Sequence, residues 1–110
     1  MEQITPQSLK ALINEHRKIE EPPPLLLDVR EPWEYAICRI EGSELLPMRQ
    51  IPSAVNSLEA SRPTVVICHH GIRSQQVARF LDQQGFQRVI NLQGGIAAWA
   101  NDVDPGMPTY

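Results

Sequence analysis

Cysteine is scarce in this chain: Cys38 and Cys68 are its only two. That is too few for a disulfide framework, and the gap between them lacks the spacing of a zinc site. A reducing, cytoplasmic setting is therefore expected. Lysine and arginine form no block and the formal net charge is −3, which argues against nucleic acid as a partner. No apolar run approaches the length that spans a bilayer, so no membrane partner is expected either. Met1-Glu2-Gln3-Ile4-Thr5-Pro6 is not a basic stretch followed by an apolar one, so no secretory signal is expected. Aromatic residues are only 5% of the chain, yet apolar residues reach 42% and charged residues 21%. That balance suits one globular domain with its own core. A single domain over residues 1–110 is expected, with a core from about 4 to 100 and a tail at 101–110.

Helical and strand patterns alternate along the chain. Thr5-Pro6 reads as a helix start, followed by Leu9, Leu12 and Ile13 at helical spacing up to about His16. Glu20-Glu21-Pro22-Pro23-Pro24 ends that element and forms a stiff connector. Leu25-Leu26-Leu27-Asp28-Val29 has the continuous apolar character of a strand buried on both faces. A turn at Glu31-Pro32 leads into a short helix, Glu44-Leu45-Leu46 reads as a short strand, and Pro52 to Leu58 reads as a weak helix with Val55 and Leu58 inward. Thr64 to Ile67 and Val89 to Leu92 are further strands. Arg73 to Gln84 is an amphipathic helix closed by Gly85, and Gly94-Gly95 opens a last helix. There is no internal repeat. The alternation predicts an α/β domain with a mainly parallel sheet, whose ligands gather at the carboxyl ends of the strands.

Cys68 falls at such an end. The run Val65-Val66-Ile67 delivers it into His69-His70-Gly71-Ile72-Arg73-Ser74, which opens the next helix. Backbone N–H donors and the positive end of a helix dipole favour an anion there, and the thiolate is the nucleophilic form of cysteine. A buried structural cysteine is the alternative, but a polar loop containing His-His-Gly is an unusual neighbour for one. Arg73 lies five positions on, where it can aim at an anionic substrate or at the loop itself. Ser74 reads as a cap, and Gly71 fits a position needing positive φ or close approach to a ligand. His69 and His70 point in different directions and lack a fourth ligand, so they read as pocket rim rather than as metal ligands. Asp28 and Arg30 end a core strand and stand behind the same pocket, where an ion pair would satisfy both. Cys38 reads as packing, with a resolving thiol as the alternative. Gly94-Gly95 matches neither phosphate-binding glycine pattern and carries little weight as a ligand site.

These motifs, taken in order, resemble the rhodanese family of sulfurtransferases in its small single-domain form. The resemblance rests on Leu27-Asp28-Val29-Arg30-Glu31 with Glu34, on Ile40-Glu41-Gly42-Ser43 followed by Leu46-Pro47, and on Cys68 through Ser74. It extends through Gly85-Phe86, Val89 and Leu92-Gln93-Gly94-Gly95-Ile96-Ala97-Ala98-Trp99. It implies a rhodanese-like three-layer fold, a five-stranded mainly parallel sheet flanked by helices. It implies Cys68 as the nucleophile that takes a sulfane sulfur as a persulfide, cradled by the backbone from His69 to Arg73. The donor would be a small anion such as thiosulfate. The acceptor would be of thiol or cyanide type, a protein thiol included, and neither metal nor organic cofactor is required. Cys38 and Arg39 stand where the family often has Gly-His, a departure remote from the loop. A persulfide carrier or regulatory module serving one protein partner is the alternative. Related phosphatase and arsenate-reductase domains use a loop one residue longer between cysteine and arginine, which suits a tetrahedral oxyanion better than a single sulfur.

Overall fold

The computed structural model describes all residues 1–110. Helix α1 (Pro6–Lys18) starts where the Thr5 hydroxyl accepts the Ser8 N–H at 3.2 Å, with Pro6 in the first turn. Its buried Leu9 and Ile13 face the core. Strands β1 (Glu2–Ile4), β2 (Leu25–Asp28), β3 (Glu44–Leu45), β4 (Thr64–Ile67) and β5 (Val89–Leu92) form one sheet in the order β1-β5-β4-β2-β3. Every neighbouring pair is parallel. Every residue of β2, β4 and β5 is buried, as a parallel sheet covered on both faces requires.

Strand alternation splits the core in two. On one face Leu26, Val65, Ile67, Ile90 and Leu92 pack with α1 and with Ile96 and Trp99 of α5 (Gly95–Asp102). On the other, Leu25, Leu27, Val66 and Val89 pack with Val77, Ala78 and Leu81 of α4 (Ile72–Gln83) and with Ile51 of α3 (Ile51–Ala54). A fully buried side chain such as Leu9 or Leu81 contributes roughly 1.5–3 kcal/mol. The short α2 (Pro32–Ile37) follows β2. No helix is long and apolar enough to cross a membrane.

Three features depart from the sequence reading. Strand β1 was not expected; it is short, half-exposed and held by pairing with β5 at the sheet edge. The helix expected over Pro52–Leu58 is broken into α3 and flanking 3-10 turns at Met48–Gln50 and Val55–Ser57, with Val55 and Leu58 only partly buried against the core. The segment after α5 is no free tail: Val103, Met107 and Tyr110 pack against the α1–α5 side of the core.

Candidate active site

Cys68 follows β4, the central strand, and faces the start of α4. The residue is only 1% exposed. Its sulfur accepts the Gly71 N–H at 3.0 Å, and its thiol donates to the Ser74 hydroxyl at 3.2 Å. Ser74 passes its own hydrogen to Asn91 Oδ1. Asn91 in turn donates to Gln3 Oε1 at 2.9 Å and to the Gly71 carbonyl at 3.3 Å, which fixes its amide. Gly71 sits at φ +96, the left-handed region that a side chain disfavours, and this turns its N–H toward the sulfur.

The loop lies on the start of α5. Ile96 N–H donates to the Cys68 carbonyl at 2.9 Å and Ala97 N–H to the His69 carbonyl at 3.0 Å. With those carbonyls turned away, the opposite side of the loop is left for N–H groups. The approach is so close that a Cβ on Gly95 would sit 2.4 Å from the Cys68 carbonyl oxygen. Gly94-Gly95 therefore serves backbone contact beneath the loop, not phosphate binding.

A second layer of charge stands beside the loop. Arg30 is fully buried and clamps Asp28, with Nη2 at 2.8 Å from Oδ2 and Nε at 2.9 Å from Oδ1. Burial opposes the Arg30 charge, but hydrogen bonds to Asp28 and Tyr110 and the Asp28 charge together outweigh it and raise the pKa. Arg30 Nη2 also donates to the Cys38 carbonyl at 2.7 Å. Glu34 of α2 is buried and accepts from both terminal nitrogens of Arg73 at 2.8 Å, from the Glu31 N–H at 2.8 Å and from the Tyr110 hydroxyl at 3.0 Å. Arg73 foremost holds the Glu34 carboxyl down at about 2, against the opposing effect of burial. Contrary to the expectation that the two histidines point apart, the His69 and His70 rings approach to 3.9 Å, and His69 also stacks on Tyr110 at 4.1 Å. Burial first, then the neighbouring His70, lowers its pKa.

A thiol at a strand end, one N–H on its sulfur and a loop held from beneath by a helix form a site for a small sulfur nucleophile. Residues 5–102 match the Rhodanese-like domain family. The chain belongs to that family. Similarity to individual members agrees. The chain is 37% identical over 75 residues to a thiosulfate sulfurtransferase of Pseudomonas fluorescens, covering 68% of this chain and 69% of that one. It is 41% identical over 103 residues to a rhodanese-like/PpiC domain-containing protein of Arabidopsis thaliana, covering 86% of this chain but 34% of that longer protein. The crystal structure of a rhodanese-like domain protein from Staphylococcus aureus superposes with a TM-score of 0.79 at 31% identity, over 100% of this chain and 99% of that one.

In this rhodanese-like domain the loop residues His69, His70, Gly71, Ile72, Arg73 and Ser74 follow Cys68 directly, but their side chains divide. Ser74 is not a cap; Gly71 is the residue before α4, and Ser74 is buried on the sulfur. Arg73 is turned onto Glu34 rather than left free above the loop. Ile72 points outward, 71% exposed. Asp28 and Arg30 form the buried ion pair expected of them. Cys38 lies in the core on the opposite sheet face from Cys68. Sequence reasoning missed the roles of Glu34, Asn91 and Tyr110. Asn91 carried a signal, since an amide among Val89, Ile90 and Leu92 needs a partner as Asp28 does. Tyr110 carried none.

Proposed function

We propose that this domain transfers a sulfane sulfur from a small anionic donor such as thiosulfate to a thiophilic acceptor, through a persulfide on Cys68. The Gly71 N–H on the Cys68 sulfur at 3.0 Å is the observation that carries the reading. The Cys68 thiolate attacks the outer sulfur of thiosulfate. A new S–S bond forms, the donor S–S bond breaks, and sulfite leaves with its electron pair. The acceptor, cyanide or a thiolate, then attacks the outer persulfide sulfur and the Cys68 thiolate departs. The Gly71 N–H holds the charge on the Cys68 sulfur in both halves. The step needs neither metal nor organic cofactor.

Arg73 supports this reading through Glu34. The pair is internally neutral, so the donor's charge is met chiefly by backbone donors, while Arg73 keeps the end of the loop in place. A protein thiol as acceptor is favoured by the exposed apolar groups beside the site, Trp33 at 61% and Ile72 at 71% exposure. A thiosulfate:cyanide assay on the wild type and Cys68→Ser tests the proposal. Turnover in the wild type and its abolition in a folded Cys68→Ser are expected; activity surviving that substitution would overturn it.

A further inference from the structure

Tyr110 is the residue through which the segment after α5 reaches the site. That segment turns at once: the Val103 and Asp104 N–H groups bond the Trp99 carbonyl at 2.9 and 3.0 Å, and the Met107 N–H bonds the Asp104 carbonyl at 3.0 Å. Val103, Met107 and Tyr110 then lie against the core. The Tyr110 hydroxyl accepts Arg30 Nη1 at 3.0 Å and donates to Glu34 Oε1 at 3.0 Å. Its ring stacks on His69 at 4.1 Å with planes 19° apart, and meets the Trp33 ring edge-on at 5.6 Å. Tyr110 thus holds both ends of the Cys68 loop, His69 directly and Arg73 through Glu34.

The loop so held leaves its nucleophile almost sealed. Cys68 is 1% exposed, whereas Ile72 of the same loop is 71% exposed. We infer that Tyr110 is a positioning and specificity residue: its ring on His69 and its hydroxyl on Glu34 close the Cys68 loop and set the size of reagent that reaches the sulfur. A small nucleophile reaches a closed loop, while a bulky thiol requires the ring to leave His69. Burial, with Glu34 adding to it against the opposing Arg30, pushes the Tyr110 hydroxyl up to about 12. The phenol therefore stays protonated through neutral pH and keeps its hydrogen bond to Glu34. Its link to acceptor choice rests on the sulfur-transfer reading above; the closure itself does not.

Alkylation of the whole 110-residue chain separates the two. Wild type, Tyr110→Phe, Tyr110→Leu and Tyr110→Ala are each treated with iodoacetamide and with pyrenyl maleimide, and peptide mass spectrometry resolves Cys68 from Cys38. Tyr110→Ala and Tyr110→Leu are expected to raise the maleimide rate at Cys68 by about tenfold more than the iodoacetamide rate, a barrier change of about 1.4 kcal/mol. Tyr110→Phe keeps the ring and is expected to lie nearer the wild-type ratio than either. Should Tyr110→Ala fail to fold, Tyr110→Leu, which keeps apolar contact with the core, carries the test alone. An unchanged ratio, or both reagents accelerating equally through general loosening, overturns the inference. Because alkylation needs no sulfur donor, its result stands whether or not Cys68 forms a persulfide.

Discussion

Arg73 gives both terminal nitrogens to Glu34, each at 2.8 Å, and so ties the first turn of α4 to α2. The Arg73 side chain is 36% exposed while that of Glu34 is 5% exposed, so the carboxylate is the anchored partner. This pairing makes Arg73 a support for the loop more than a binder of donor. Arg73→Ala is expected to lower kcat/KM for thiosulfate about ten- to hundredfold, mainly through kcat. Lysine at the same position should recover only part, since it keeps charge without the planar fork. Steady-state kinetics decide; a loss confined to KM would mean that Arg73 meets the donor's charge.

The same pair makes stability depend on acid. The Glu34 carboxyl lies at about 2 when folded, against an ordinary 4.5. A depressed carboxyl pKa stabilises the folded state above the unfolded value, and that contribution fades as pH falls from about 4.5 through 2. Its upper bound is roughly 3–4 kcal/mol. Urea denaturation of the wild type and Glu34→Gln should show a gap at pH 7 that narrows in this acid window. A gap that stays constant would contradict the pairing.

Gly95 and Gly85 both have positive φ but differ in surroundings. A Cβ on Gly95 meets the Cys68 and His69 carbonyl oxygens at 2.4 and 2.5 Å, whereas one on Gly85 meets nothing within 4 Å. Gly95→Ala should destabilise by roughly 2–4 kcal/mol and disable the loop. Gly85→Ala should cost only the left-handed strain, roughly 1–2 kcal/mol, with sulfur transfer kept. Thermal unfolding and turnover of the two variants, measured side by side, check this.

Asn91 is the third member of the hydrogen-bond chain that starts at the Cys68 thiol and runs on through Ser74 to Gln3. Asn91→Leu keeps the size but leaves the buried Ser74 hydroxyl without its acceptor. A loss of roughly 1–3 kcal/mol in stability is expected, with slower alkylation or sulfur transfer as the Ser74 contact on sulfur loosens. A variant as stable and as active as wild type would remove Asn91 from the site.

The sheet was legible because β2, β4 and β5 are buried on both faces and therefore nearly all apolar, bounded by prolines and polar loops. Strand β1 was not, because a short edge strand takes its order from pairing with β5 rather than from its own pattern. The placement of Cys68 and Gly71 was legible because a β-branched run ending before a glycine-containing loop and an amphipathic helix fixes a strand end facing a helix start. The direction of Arg73 was not, because it is set by Glu34, 39 positions earlier, and sequence spacing says nothing about that meeting. Tyr110 was invisible for the same reason: its partners Arg30, Glu34 and His69 come together only in the folded chain.

The central claim is a persulfide on Cys68, and intact and peptide mass spectrometry after incubation with thiosulfate tests it most directly. One added sulfur atom is expected on the Cys68 peptide, removed by cyanide, present in Cys38→Ser and absent in Cys68→Ser. A protein that gains no sulfur, or gains it on Cys38 instead, would contradict the account.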